Sequence, residues 1–138
     1  MEKIIQAENL KHIFREKKNN GAEFTVQSLR TGKDYTFKVS RSKFKDYWYT
    51  HVYVEQGYDN FVRLGTFTAT GKISNKQTEV KTPAAEAIAW LLRQVVNKDY
   101  AKIRQNVKVM HTGSCLVCGR KLTDAVSIQT GVGPVCRN

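Results

Sequence analysis

Long apolar runs are missing from this 138-residue chain, and none approaches the roughly 20 residues that a membrane-crossing helix needs. The opening stretch, Met1-Glu-Lys-Ile-Ile-Gln-Ala-Glu8, has no apolar h-region. The expectation is therefore a soluble, cytoplasmic protein with no secretory signal and no membrane partner. Acidic residues are scarce: 12 Asp and Glu face 23 Lys and Arg, a formal charge of +11. Such an imbalance favours polyanionic partners, nucleic acid first, although a basic surface can also serve solubility alone. Cysteines number only three, all within the last 24 residues. An odd, clustered set argues against a secreted disulfide framework and for metal ligands in a reducing compartment. Also missing are a Gly-rich phosphate loop, a Ser-His-Asp or Cys-His set in a plausible context, and paired acids for a two-metal nuclease. No enzyme activity is expected.

The positive charge is uneven. Residues 1–50 carry 11 basic and six acidic groups, residues 51–97 five and four, and residues 98–138 seven and two. The ends, not the middle, carry the field. There is no internal repeat and no low-complexity tract, and the length suits one ordinary domain.

Hydrophobic spacing predicts the elements. Ile4, Ile5, Leu10, Ile13 and Phe14 recur near helical spacing, so Ile4 to Lys18 reads as a helix stopped by Asn19-Asn20-Gly21. Period-two alternation then predicts strands over 22–30 and 35–40, joined through Thr31-Gly32-Lys33. Further strands follow from Tyr47 to Gln56 and from Phe61 to Thr70, giving four antiparallel strands in two hairpins. The polar stretch Gly71 to Lys81 reads as a loop. Thr82-Pro83 opens a second helix whose stripe is Ala84, Ala87, Ile88, Leu91, Leu92 and Val95. After a basic connector from Asp99 to Gln105, Val107 and Val109 predict a short strand ending at His111. The fold class is α+β: an antiparallel sheet of about four strands packed by a helix, with a C-terminal zinc-knuckle module. The core domain is expected over 1–105 and the module over 106–138, packed on it or extending it.

That module carries the sharpest signal: His111-x3-Cys115-x2-Cys118-x17-Cys136. Two residues between thiolates let both sulfurs reach one ion at about 2.3 Å, and Gly119 permits the positive φ of a tight knuckle. Gly131-Val132-Gly133-Pro134 then bends the chain to return Cys136. Tetrahedral Zn²⁺ needs four ligands, and His111 is the nearest candidate for the fourth; Asp124, His12 and His51 are the alternatives. A Cys-x2-Cys redox pair competes, but redox pairs of that kind open a helix, and here Gly119-Arg120 follows with a third cysteine available. A catalytic zinc would need an open position and usually a general base. Asp124 is the only carboxylate side chain after Asp99, so a structural ion is expected.

From Cys115 to Cys136 the chain resembles a small cysteine-rich module of uncharacterised bacteriophage and bacterial proteins. The resemblance rests on Cys-x2-Cys-Gly-Arg-x-Leu-Thr, then Ser127-Ile128, then Gly131-x-Gly-Pro-x-Cys136, with His111 just upstream. It implies zinc binding and a phage or prophage context, and no established activity.

Alternation along Tyr47 to Gln56 places Trp48, Thr50, Val52 and Val54 on one face, toward the core. Tyr47, Tyr49, His51 and Tyr53 fall on the other, with Lys38 and Arg63 as possible neighbours. Aromatics flanked by cations form a stacking platform for unpaired bases. The competing reading packs these tyrosines under the N-terminal helix. Arg120, Lys121 and Arg137 offer a second set of phosphate contacts beside the ion. Two functions follow: a small basic zinc protein that binds nucleic acid, or a phage-encoded interaction protein that inhibits a host defence factor. A zinc enzyme is a distant third.

Overall fold

In the computed structural model of the chain, residues 4–14, 19–58, 60–67, 73–74 and 82–137 are described; for residues 14, 19–22, 67, 73–74 and 137 this extends to the backbone alone. Alternating side chains build the strands β1 (Asn19–Ser28), β2 (Asp34–Phe44), β3 (Tyr47–Glu55) and β4 (Phe61–Phe67). Each pairs antiparallel with the next. Register stacks the apolar residues in rows: Phe24 opposite Phe37 and Phe37 opposite Val54, with Val39 opposite Val52. All five are buried, and the Phe24 and Phe37 rings lie 6.0 Å apart between centroids. These cross-strand pairs fix the register, because a slip of one residue would turn the whole row to solvent.

The sheet is larger than four strands. A two-residue strand β5 (Ile73–Ser74) pairs with β4, and β6 (Val107–His111) pairs with β1, giving the order β5-β4-β3-β2-β1-β6. The predicted strand ending at His111 is thus present, and it joins the main sheet. Val109 opposes Val26 and His111 opposes Phe24. Other than Ile73–Ser74, the loop expected over 71–81 lies outside the described residues.

Helices complete the core on one side. α1 (Pro83–Val96) starts where Thr82 Oγ1 accepts the Ala85 N–H at 3.1 Å, and it buries Ala84, Ile88, Leu91, Leu92 and Val95. The expected N-terminal helix is shorter and tighter. Ala7–Phe14 is 3₁₀, Ile4 instead bridges to Met110 beside β6, and residues 15–18 lie outside the described residues. The basic connector is itself a helix, α2 (Tyr100–Asn106), capped by Asp99 accepting the Lys102 N–H at 3.3 Å. Its single buried residue, Ile103, is too weak a periodic signal to read from sequence. The 3₁₀ helix packs on α1 and α2, and Ile5, Leu10 and Ile13 share one apolar cluster with the strands' buried face. The tyrosine-bearing side of β3 is therefore not where this helix sits. None of the described helices is long and apolar enough to cross a membrane.

Candidate metal centre and basic sheet face

β6 delivers the chain to the knuckle. Leu122 N–H donates to the Gly113 carbonyl and Cys115 N–H to that of Arg120, both at 2.8 Å, closing a short loop around the first two cysteines. Gly119 at φ +76° makes the tight turn, and its N–H returns to the Cys115 carbonyl at 3.0 Å. Beyond it, α3 (Ala125–Thr130) begins at Asp124, whose carboxylate accepts the Ser127 N–H at 3.1 Å. It ends at Gly131, left-handed at φ +76°. From there Leu116 N–H reaches the Gly131 carbonyl at 3.0 Å, and the short α4 (Pro134–Arg137) carries Cys136 back.

The result is one cluster. The sulfurs of Cys115, Cys118 and Cys136 lie within 4.8 Å of one another, a group that could hold a metal ion. Cys115 and Cys136 are buried and Cys118 is half-buried. Burial opposes ionisation of Cys115, but N–H groups of Gly133, Cys118 and Val117 directed at its sulfur outweigh it, so its pKa is lowered. The Gly133 and Val117 nitrogens stand 3.3 and 3.4 Å from that sulfur. Cys136 is raised to about 11 by burial, by a hydrogen bond with Cys118 and by the neighbouring Cys115. Adjacent thiols that resist ionising together, with amide donors aimed at one of them, match the chemistry of a cation holding several thiolates.

His111 stands apart from this group. The residue is 3% exposed; Nδ1 accepts the Gly113 N–H at 3.0 Å and Nε2 lies 2.5 Å from the Ile128 carbonyl. The alternatives for a fourth ligand also have other places. Asp124 caps α3, His12 rides on the 3₁₀ helix, and His51 lies on the far face of β3. Arg120 and Lys121 are exposed beside the knuckle, and the Arg137 side chain lies outside the described residues. The module does not stand alone. Cys115, Leu116, Val117, Leu122, Val132 and Cys136 belong to the same buried cluster as Phe24 and Leu91, so one core runs across the boundary expected at 105/106.

On the opposite face of the sheet, Tyr53 has Lys38 beside it on β2 and Arg63 on β4, directly paired in register, while Glu23 on β1 opposes Lys38 and Glu55 opposes Phe61, so the cations share this face with two carboxylates. His51 and Tyr49 follow along β3 on the same face, all half-buried. Lys38 Nζ stands 5.0 Å over the Phe61 ring, an aromatic that sequence reasoning missed because its place depends on β3–β4 register. Arg63 donates to Thr66 Oγ1 at 2.8 Å and approaches His51 Nδ1 at 3.5 Å, while Ser42 Oγ lies 2.9 Å from His51 Nε2. The hairpin end adds Phe44 and Tyr47, 65% and 68% exposed and paired across the turn. This face and the cysteine cluster are not brought together. β6 lies three strands from β3, about 14 Å at the usual strand spacing.

Comparison with known proteins agrees with the position of the module. Neither curated proteins nor solved structures give a match to the chain. Residues 108–138, however, match the profile of a family of unknown function, DUF6011, so the C-terminal part of this chain is similar to that family.

Proposed function

We propose that this is a small nucleic-acid-binding protein whose C-terminal module is held together by one zinc ion, and that it is not an enzyme. The observation that carries the binding reading is the run Lys38–Tyr53–Arg63 on the outer sheet face, bounded by Glu23 beyond Lys38 and flanked by Phe61, His51 and Tyr49, in a chain of formal charge +11. Tyrosine rings offer π-faces to unpaired bases, and the cations beside them meet phosphates. Zinc is favoured among metals because three clustered sulfurs form a soft donor set suited to it. Its role would be to cross-link a segment whose two short helices, α3 and α4, bury little surface by themselves.

The test is binding of a labelled single-stranded oligonucleotide by anisotropy over a range of salt. Affinity is expected to fall with salt, and replacing both Lys38 and Arg63 by Ala should reduce the log–log slope by about 1.4, at about 0.7 for each phosphate no longer neutralised. Tyr53→Ala should weaken binding by about 1–3 kcal/mol at every salt concentration. Binding that is absent, or unmoved by these changes, overturns the reading.

A further inference from the structure

We infer that His111 is a clamp docking the cysteine module on the sheet, and that an ion held by Cys115, Cys118 and Cys136 takes an exchangeable solvent oxygen as its fourth donor. The inference rests on the metal reading above. A carbonyl can only accept, so the short contact to Ile128 requires the proton on Nε2. That leaves Nδ1 bare, and the Gly113 N–H supplies its donor at 3.0 Å. The neutral ring is thereby fully satisfied. To ligate a metal it would have to give up one of these bonds, and its nitrogens are not among the ligand atoms clustered within 4.8 Å of one another, which are the three cysteine sulfurs alone.

Backbone geometry holds the ring where it is. His111 opposes Phe24 in the β1–β6 register, so its side chain is committed to the core side. Gly131, the left-handed residue ending α3, lies against the ring: a Cβ there would sit 3.5 Å from His111 Cδ2. The two hydrogen bonds therefore tie β6, the start of the knuckle loop and α3 together through one side chain. The cysteine trio, by contrast, includes one residue that is not fully buried. Cys115 and Cys136 are 1% and 2% exposed, whereas Cys118 is only half-buried, beside exposed Arg120 and Lys121. An ion held by the trio would be nearest to solvent on the Cys118 side. Such a site departs from the closed four-ligand structural type and leaves one position open to an added donor.

Zinc-edge X-ray absorption of the full chain, as wild type and as His111→Gln, decides the ligand set. The expected result is one zinc per chain in both, with three sulfurs and one oxygen and no imidazole scattering in either. The variant should melt at a lower temperature because the clamp is gone. Imidazole scattering in the wild type overturns the inference whether or not the variant folds. A wild type that takes up no metal overturns instead the zinc reading on which it rests. For exchange, the Co²⁺-loaded wild type is titrated with free imidazole. A saturable shift of the visible ligand-field bands is expected, and bands that do not move at saturating imidazole overturn the open position.

Discussion

At Cys136, burial and the adjacent cysteines hold the thiol at about 11, whereas Cys115, equally buried, is lowered by amide donors. Metal binding must displace the Cys136 proton at neutral pH, so affinity should fall on acidification by about tenfold per pH unit for each proton displaced. Cys136→Ser is expected to abolish stoichiometric zinc, read by elemental analysis after gel filtration, and to lower the melting temperature. His51 poses a different problem. Burial first, then the Arg63 charge, lowers its pKa below the ordinary histidine value. The unfolded chain therefore binds the proton more readily than the folded one. Stability should be undiminished above the unfolded pKa of about 6.5 and decline as pH falls from there toward the lowered folded value. Urea melts between pH 5 and 7.5 should show this slope, and His51→Gln should flatten it; an NMR titration of His51 at or above 6.5 would contradict the account.

Among the elements, α3 shows how a six-residue helix is made to stand. Asp124 caps its start, Gly131 ends it, and His111 grips it from the sheet at the Ile128 carbonyl. Gly131→Ala places an L-residue at φ +76°, and its Cβ would meet Ile5 Cγ1 at 3.0 Å. The left-handed conformation alone costs about 1–2 kcal/mol, and the contact asks Ile5 to shift as well. Chemical denaturation should show a loss of at least that size, with far-UV circular dichroism of the native state little changed. Gly131→Asn, which tolerates the left-handed region better, should recover part of it.

Over the whole molecule, the sheet, α1 and the cysteine module share one buried cluster. Losing an ion bound by the three cysteines should therefore be felt far from it. Trp90 on α1 packs against that cluster, and its fluorescence in a Trp48→Phe variant, followed through a thermal melt, is expected to report a single transition that moves to lower temperature when a chelator is added. Two transitions, with the chelator shifting only the one to which Trp90 is silent, would show the module to be an independent unit. The basic face is a property of the same scale. It exists only because β2, β3 and β4 place Lys38, Tyr53 and Arg63 in one row.

Whatever depends on near neighbours along the chain was legible before the fold. Alternation in 35–40 and 47–55, the Thr82-Pro83 helix start and the Cys-x2-Cys knuckle are set by local backbone and side-chain geometry, and all three are present in the fold. Two faces of β3 could be sorted for the same reason. Tertiary structure decided the rest. The partner of β6 is β1, some 80 residues earlier in the chain, and no local pattern encodes that choice. The 3₁₀ helix went to the core side because Leu10 and Ile13 find more apolar surface beside α1 than among tyrosines. His111 illustrates the limit most sharply. Its spacing from Cys115 suits a ligand; only the fold shows that pairing with Phe24 turns its ring to the core side, with the Gly113 N–H and the Ile128 carbonyl within hydrogen-bond reach of its two nitrogens.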